Sequence, residues 1–240
     1  MYNPKYEIIK NKVIAIITAA GKSVRMNLPV KKQFMPLAGK PIIVHTVEKF
    51  LKAEIFDKII ITISSEDRKL AEKILFSKYN FPKKKFIIVD GGVTRQQSVF
   101  NALKMCPEAT DYVVIHDGVR PLVKVKEIQE IVELTEEKRA ITLGITAKNT
   151  IKRIKQNRVI STLDRKQLWE IFTPQAFYYD LIYKAHKNAE NKKLEVNDDA
   201  ELVEILGKDV FVLQGLPENI KITDQFDLKI AEAILQGVEK

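Results

Sequence analysis

Short runs of consecutive hydrophobic residues alternate along the chain with longer segments in which hydrophobic residues recur every three or four positions. The first run, residues 13–17, leads into Thr-Ala-Ala-Gly, a pattern typical of a buried parallel strand followed by a tight loop. Further strands are predicted at residues 58–64, 86–89, 112–115, 140–146 and 210–213. Helices are predicted at residues 41–53, 66–79, 94–105, 125–138, 179–190, 198–206 and 224–235, with Thr94 as an N-cap.

This alternation of strands and helices predicts an α/β fold with a doubly wound, mostly parallel, Rossmann-like sheet. In such sheets the ligand binds beyond the carboxyl ends of the strands. The turns at residues 21–25, 90–95 and 116–120 all follow predicted strands. We therefore expect these three turns, which are far apart in the sequence, to meet at one edge of the sheet.

One segment interrupts the alternation. Residues 150–154 and 158–162 alternate polar and apolar positions around Gln156-Asn157, which predicts a half-exposed β-hairpin. A hairpin inside a doubly wound domain often covers another surface, such as a partner subunit. The pattern is also compatible with an ordinary edge hairpin.

Composition narrows the class of protein. The 240 residues are 45% hydrophobic and 30% charged, which excludes a disordered chain, and no apolar run is long enough for a membrane span. Residues 1–12 lack the apolar stretch of a signal peptide. A single cysteine, Cys106, excludes an intramolecular disulfide and a cysteine-based zinc site. We expect a cytoplasmic enzyme or binding protein.

Positive charge is concentrated in the first half of the sequence. Residues 1–120 carry 21 basic and 11 acidic residues, a net charge of +10, whereas residues 121–240 carry 19 and 20, a net charge of −1. Such asymmetry suggests an anionic partner, although a lysine-rich solvated surface gives the same count. The only basic run, Lys83-Lys84-Lys85, is too short to indicate nucleic-acid binding.

The loop after the first strand is a candidate phosphate site. Its small residues let the backbone approach a ligand, and Arg25 and the pair Lys31-Lys32 add cations. Gly21-Lys22-Ser23 looks like the end of a P-loop, but that motif needs a glycine where Ile16 stands. The loop does not match the dinucleotide-binding fingerprint G-x-G-x-x-G either, because Ser23 and Met26 stand where it requires glycine. A phosphate site and an ordinary basic loop both remain open on these residues alone.

Seven short motifs occur in order along the chain. They are Ala19-Ala20-Gly21 with Arg25-Met26 and Lys32-Gln33; Asp90-Gly91-Gly92 with Arg95 and Ser98; His116-Asp117-Gly118-Val119-Arg120-Pro121; Thr162-Leu163-Asp164-Arg165 with Leu168-Trp169; Thr173-Pro174-Gln175; Asn197-Asp198-Asp199-Ala200; and Asn219-Ile220-Lys221-Ile222-Thr223. Together they resemble the cytidylyltransferase type of nucleotidyltransferase, and within that type they are most similar to the 2-C-methyl-D-erythritol 4-phosphate cytidylyltransferase family, over about residues 13–235. Each motif is weakly specific, but seven in the right order are highly specific.

The resemblance implies a reaction in which the phosphate of a polyol phosphate attacks the α-phosphorus of CTP and pyrophosphate leaves. Positioning and electrostatics would then carry the catalysis without a covalent intermediate. The implied catalytic residues are Arg25, Lys32, Arg165 and Lys221. The implied substrate-binding residues are Ala19, Ala20, Gly21, Ser23, Gly92, Ser98, Asp117, Thr150 and Thr173.

The resemblance also implies a metal and an assembly. Mg²⁺ would bind mainly through the CTP phosphates, with Asp117 as the candidate protein ligand and Glu218 as a weaker one. The partners would be CTP and a polyol phosphate, with no nucleic acid and no membrane. Residues 1–240 would form a single nucleotidyltransferase domain, in which residues 147–166 are a β-arm that joins a homodimer and delivers Arg165 to the neighbouring subunit.

Departures from the family pattern leave some points open. Ser23 stands where the family usually has glycine, and one extra residue before Lys-Gln leaves either Lys31 or Lys32 as the functional lysine, of which we favour Lys32. By strand alternation, we expect His116 to be structural. Three alternatives remain for function: a ribitol 5-phosphate cytidylyltransferase, a non-catalytic nucleotide-binding protein, and an RNA-binding protein suggested only by the net charge.

Overall fold

The computed structural model describes residues 11–21 and 31–238, so Ser23 and Arg25 lie outside the described residues. Helices and strands alternate as the hydrophobic pattern predicts. The strands are β1 (Val13–Thr18), β2 (Pro36–Leu37), β3 (Lys40–Pro41), β4 (Lys58–Ile63), β5 (Phe86–Asp90), β6 (Tyr112–Asp117), β7 (Ala140–Thr146), β8 (Lys152–Lys155), β9 (Arg158–Thr162), β10 (Trp169–Tyr178) and β11 (Phe211–Gln214). The α-helices are α1 (Ile42–Lys52), α2 (Arg68–Glu72), α3 (Arg95–Leu103), α4 (Val125–Lys138), α5 (Tyr179–Lys192), α6 (Asp199–Ile205) and α7 (Gln225–Val238).

Within the described residues the main sheet has seven strands in the order β11-β7-β10-β6-β1-β4-β5. Every neighbouring pair is parallel except the two that involve β10, which runs antiparallel to both β6 and β7. The predicted fold class, a mostly parallel Rossmann-like α/β sheet, is confirmed.

The two faces of the sheet follow from residue alternation in the buried strands. Along β1, Val13, Ala15 and Ile17 belong to a core shared with α1 and α4, whereas Ile14 and Ile16 belong to a second core shared with α3, α5 and α6. All five side chains are completely buried. A strand covered on both faces must be apolar at every position, which is why β1 reads as one continuous hydrophobic run.

Strand β10 was not predicted from the sequence. Pro174 lies inside it, and proline is rare in central strands because it cannot donate a ladder hydrogen bond. The structure places Thr173 and Pro174 at an irregularity in the pairing with β7, between Phe172 and Gln175. This local interruption lets a proline-containing strand occupy the middle of the sheet.

Two other predicted elements differ in detail. The helix predicted at residues 66–79 is a composite of a 3₁₀ turn at Ser65–Asp67, α2, and a π-helical segment at Lys73–Lys78. The hairpin strand predicted to begin at Thr150 begins at Lys152. Strands β8 and β9 pair with each other as a separate two-stranded sheet, and nearly all of their residues are exposed. No helix in the described part of the chain has the length and apolar character needed to cross a membrane.

Candidate active site

A cavity of about 350 Å³ opens at the carboxyl ends of β1, β5 and β6. Its volume lies in the range of small-molecule sites. Gly21, Gly92 and Asp117, one from each of the three turns predicted to converge, line this cavity together with Lys221 from near the C-terminus. The rest of the first turn, residues 22–25, lies outside the described residues. The lining residues are Thr18, Ala19, Ala20, Gly21, Lys32, Gln33, Gly92, Val93, Thr94, Arg95, Ser98, Asp117, Val119 and Lys221.

The loop after β1 is held from two sides. The Gln33 side chain is buried, and its Nε2 donates to the carbonyl oxygen of Ala19 at 2.8 Å. The backbone N–H of Gly118 donates to the carbonyl oxygen of Thr18 at 2.8 Å. The described start of this loop is therefore tied both to the Lys-Gln segment and to the turn after β6.

The loop after β5 packs directly against the loop after β1. A Cβ on Gly91 would lie 2.2 Å from the Cβ of Ala20, so only glycine allows this approach. Ser98 Oγ accepts from the N–H of Gly92 at 3.0 Å and donates to the carbonyl oxygen of Thr94 at 2.8 Å. Ser98 thus fixes Gly92, which follows Gly91 in the chain, against the first turn of α3.

Asp117, at the end of β6, lies at the centre of a cluster of cations. Its Oδ1 accepts from Arg95 Nε at 2.9 Å, and its Oδ2 lies 2.8 Å from Lys221 Nζ and 3.5 Å from Arg120 Nε. Burial alone would raise the pKa of Asp117, but Arg95, Lys221 and Arg120 outweigh it and hold the pKa well below its usual range. The carboxylate is therefore ionised, and it fixes three cations at the edge of the cavity.

Residues behind the cavity hold this cluster in place. Thr173 Oγ1 accepts from the N–H of Asp117 at 3.0 Å, and Asn219 Nδ2 donates to the carbonyl oxygen of Thr173 at 2.9 Å. Arg120 Nη1 donates to the carbonyl oxygen of Asn219 at 2.9 Å. Because Asn219 precedes Lys221 by two residues, these bonds attach the segment that carries Lys221 to the central strands.

His116 is a structural residue, as strand alternation predicts. It is completely buried, and its Nε2 lies 3.1 Å from the carbonyl oxygen of Arg120, which can only accept. Its Nδ1 lies 3.1 Å from Thr173 Oγ1. Burial lowers the pKa of His116 to about 4, so the ring is neutral at pH 7, with the proton on Nε2.

The side chains of the adjacent residues Lys31 and Lys32 lie in different surroundings. Lys31 Nζ binds Asp67 at 2.6 Å, Glu66 at 3.3 Å and Ser64 at 3.0 Å. Lys32 lines the cavity. This arrangement favours Lys32 over Lys31 as the lysine that meets a ligand.

Not all residues implied by the resemblance come together. Thr173 lies behind the cavity wall, with its hydroxyl bound to Asp117 and His116. Thr150 and Arg165 lie at the hairpin, outside the cavity lining, and Arg165 Nη1 donates to the carbonyl oxygen of Lys148 at 2.8 Å. Ala19, Ala20, Gly21, Lys32, Gly92, Ser98, Asp117 and Lys221 all line the cavity.

Arg95 and Arg120 were not named as site residues, although both stand in the quoted motifs. Each lies a few residues after the end of a strand, where a cation can reach a ligand or a carboxylate at the edge of the sheet. That position is the sequence signal that could have identified them. Their shared contact with Asp117 depends on the pairing of distant strands.

The surroundings of Asp117 do not fit a resident magnesium ion. It is the only carboxylate in the cavity lining among the described residues, and both of its oxygens face cations. Glu218 is not among the lining residues. In residues 11–21 and 31–238 no group of three histidine, cysteine, aspartate or glutamate side chains is arranged to hold a metal.

Comparisons with known proteins agree with one another. Residues 13–237 match the sequence model of the IspD family, described as 2-C-methyl-D-erythritol 4-phosphate cytidylyltransferase. A protein of that name from Clostridioides difficile is 41% identical over 220 residues, covering 92% of each chain. Another from Halalkalibacterium halodurans is 41% identical over 226 residues, covering 94% of this chain and 97% of the relative.

A solved structure shares the fold. The crystal structure of 4-diphosphocytidyl-2C-methyl-D-erythritol synthase from Anaerococcus prevotii superimposes with a TM-score of 0.83 at 30% identity. The match covers 94% of this chain and 99% of that structure. With the family match and the cation-lined cavity at the strand ends, we conclude that this chain belongs to the 2-C-methyl-D-erythritol 4-phosphate cytidylyltransferase family.

Proposed function

We propose that the protein transfers the cytidylyl group of CTP to 2-C-methyl-D-erythritol 4-phosphate, forming 4-diphosphocytidyl-2-C-methyl-D-erythritol and pyrophosphate in non-mevalonate isoprenoid biosynthesis. Family membership supports the reaction. The observation that carries it to this chain is the cavity that Lys32 lines together with Arg95 and Lys221, the last two of which are paired with Asp117.

The chemistry needs no protein nucleophile. A phosphate oxygen of the acceptor attacks the α-phosphorus of CTP, a new P–O bond forms, and the bond to the β-phosphate oxygen breaks as pyrophosphate leaves. Several anionic groups crowd together in this step. The protein accelerates it by aligning the two substrates and by placing positive charge where negative charge accumulates.

Each cavity residue has a role in this scheme. Lys32, together with Arg25 outside the described residues, stabilises the triphosphate, and Lys221 holds the acceptor phosphate near the α-phosphorus. Ala19 to Gly21, Gly92 and Ser98 form the pocket for cytosine and ribose, with Ser23 completing the loop.

The acceptor polyol is assigned to a different part of the site. Asp117, Thr150 and Thr173 are its proposed contacts. Thr173 hydrogen-bonds Asp117 in this structure, so it would act on the polyol through Asp117 or after a rearrangement.

Magnesium would enter with the nucleotide. Since Asp117 is already surrounded by cations, we propose that the ion is carried by phosphate oxygens and water molecules of the bound CTP. It would neutralise part of the triphosphate charge. The cytoplasm, where CTP is made, is the proposed location of the enzyme.

The hairpin is proposed to join two copies of the chain. Ile154, Val159 and Ile160 are more than half exposed on it, and an isolated two-stranded hairpin is only marginally stable in water. The arm at residues 147–166 carries seven basic residues and one acidic residue. An arm of this charge is suited to bring Arg165 to the phosphate site of a neighbouring subunit.

Pyrophosphate release tests the proposal. We expect release only when CTP, among the four common nucleoside triphosphates, is supplied with methylerythritol phosphate. Ribitol 5-phosphate in place of methylerythritol phosphate should react far more slowly. CTP binding without pyrophosphate release would indicate a nucleotide sensor, and a preference for ribitol 5-phosphate would reassign the acceptor.

A further inference from the structure

A chain of charged groups extends from the cavity into the protein behind it, and its inner end is buried. Arg95 Nε donates to Asp117 Oδ1 at 2.9 Å, and Arg95 Nη1 donates to Asp199 Oδ2 at 2.7 Å. Asp199 Oδ1 in turn lies 3.1 Å from His186 Nε2. One guanidinium therefore bridges a carboxylate of the site and a carboxylate that does not line the cavity.

The inner end of this chain is fully enclosed. The side chains of Asp199 and His186 are 1% and 0% exposed. Burial alone would raise the pKa of Asp199, but Arg95 and His186 outweigh it and lower the pKa. Desolvation of a buried carboxylate is costly, and well-packed apolar residues in place of a buried ion pair often give equal or greater stability. Stability alone therefore does not account for an ion pair here.

The inner end is also rigid. Asp199 is the first residue of α6, and the preceding Asp198 caps that helix by accepting from the N–H of Glu201 at 2.9 Å. His186 lies on α5, which packs against α6, and its ring stacks on Phe100 of α3. Three helices thus hold Asp199, and through it the guanidinium of Arg95.

The outer end of the chain is less rigid. Lys221 lies on a segment between β11 and α7, and its side chain is 38% exposed. Among the described residues, Asp117 is the only carboxylate that pairs with its ammonium. The position of Lys221 therefore depends on the position of Asp117. The backbone of Asp117 is held by β6 and Thr173, and Arg95, which is tied to a second carboxylate, helps to orient the Asp117 side chain.

We propose that Arg95 and Asp199 are positioning residues, which hold Asp117, and through it Lys221, in the geometry that the acceptor phosphate requires. This inference rests on the proposed function, in which Lys221 meets that phosphate. Arginine suits this bridge because its planar guanidinium donates to the two carboxylates from two separate nitrogens, Nε and Nη1. The ammonium of a lysine would have to reach both carboxylates from a single nitrogen. Arg95 and Asp199 need not touch either substrate with their side chains to act in this way.

Two variants test the proposal. Arg95→Lys keeps the charge but loses the bridge, and Asp199→Asn keeps the shape but loses the inner anchor. For each we expect kcat to fall at least tenfold and the KM for the acceptor to rise, with the Kd for CTP, measured by calorimetry, changed less than threefold. Because the two residues act on Asp117 in series, the double variant should be little worse than the more impaired single variant.

Arg68→Lys is the matched control. Arg68 also contacts two carboxylates, Asp90 at 3.1 Å and Glu72 at 3.5 Å, but at the surface. Its replacement should leave kcat and both KM values within twofold of the wild type. Circular dichroism and Tm establish how much of each variant is folded under the assay conditions.

Chemical rescue keeps the test decisive if a variant is less stable. Millimolar guanidinium should restore part of the turnover of Arg95→Ala and leave the wild type unchanged, a result that a general loss of folding would not produce. A wild-type kcat in folded Arg95→Lys and Asp199→Asn would overturn the inference. It would also be overturned if CTP binding and turnover fell equally, in proportion to the unfolded fraction of each variant. An inactive wild-type enzyme would instead contradict the proposed function.

Discussion

At the residue scale, two neighbouring lysines lie in different surroundings. Lys31 is neutralised by Asp67 and Glu66 on an adjacent segment, whereas Lys32 lines the cavity. Both carry the same charge, and only one of them presents it to the site. The sequence left the choice between them open.

Lys32→Ala is expected to lower kcat by at least a hundredfold with little change in Tm, because it removes positive charge that stabilises the transition state. Lys31→Ala is its matched control and should keep kcat within about threefold of the wild type. Steady-state pyrophosphate release measures both. A larger loss in Lys31→Ala than in Lys32→Ala would reverse the assignment.

His116 should make the stability of the protein depend on pH. Its pKa is about 4 in the folded protein and about 6.5 in an unfolded chain, so between these values the unfolded state binds more protons. Stability should therefore fall as pH decreases from about 6.5 to 4, by up to about 1.4 kcal/mol per pH unit from this residue. Protonation at Nδ1 would also break the hydrogen bond from Thr173.

Urea unfolding at pH 7, 6 and 5 measures this effect. His116→Gln should be less stable than the wild type at pH 7 but should lose less stability on acidification. His45, whose pKa is also lowered by burial, contributes equally in both proteins and cancels in the comparison. Parallel pH dependences would contradict the prediction.

At the element scale, the site depends on how closely two strand-end loops approach. The loop after β5 contacts the loop after β1 through Gly91 and Ala20, and Ser98 on α3 fixes the neighbouring Gly92. Thr94 caps α3 by accepting from the N–H of Gln97 at 3.1 Å, as predicted from the sequence. The start of this helix and the proposed nucleotide pocket are therefore one structural unit.

Gly91→Ala should separate these loops, because the new Cβ would lie 2.2 Å from that of Ala20. We expect the affinity for CTP to fall at least tenfold and the free energy of unfolding to fall by about 1–3 kcal/mol. Gly237→Ala, which meets no atom within 4 Å on α7, is the control and should leave CTP binding unchanged. Calorimetric titration measures the affinity for CTP, and equal affinities of the two variants would contradict the prediction.

Strand β10 marks the limit of prediction at this scale. Its neighbours β6 and β7 are largely apolar and buried, and both were predicted from the sequence. In β10, exposed residues at the start, Pro174 and buried polar residues obscure the pattern. A strand of this kind is stabilised by its two partners, which the local sequence does not reveal.

At the scale of the whole molecule, the hairpin is the feature that one chain does not explain. Its apolar side chains are exposed, and Arg165, implied to be catalytic, lies outside the cavity lining. A second copy of the chain would bury these apolar side chains, and the arm would bring Arg165 to the site of that copy. The active unit is therefore proposed to be a homodimer with two shared sites.

Mixing two inactive variants tests this arrangement. Arg165→Ala and Lys32→Ala should each be impaired, but heterodimers refolded from an equal mixture contain one site with neither substitution. Turnover should recover to roughly a quarter of the wild-type value, because half of the dimers are mixed and each has one intact site. No recovery, in heterodimers verified by differential tagging, would mean that Arg165 acts within its own subunit.

Hydrophobic periodicity and strand-end position are local properties, so the residue pattern was enough to predict the α/β class, most helices and strands, and a site formed by strand-end turns at one edge of the sheet. The central antiparallel strand, the different surroundings of Lys31 and Lys32, and the charged chain from Asp117 through Arg95 to Asp199 became visible only in the folded protein. These features depend on pairing between residues up to about a hundred positions apart. Such contacts arise only when the sheet has assembled, since burial then forces each charged group to find a partner.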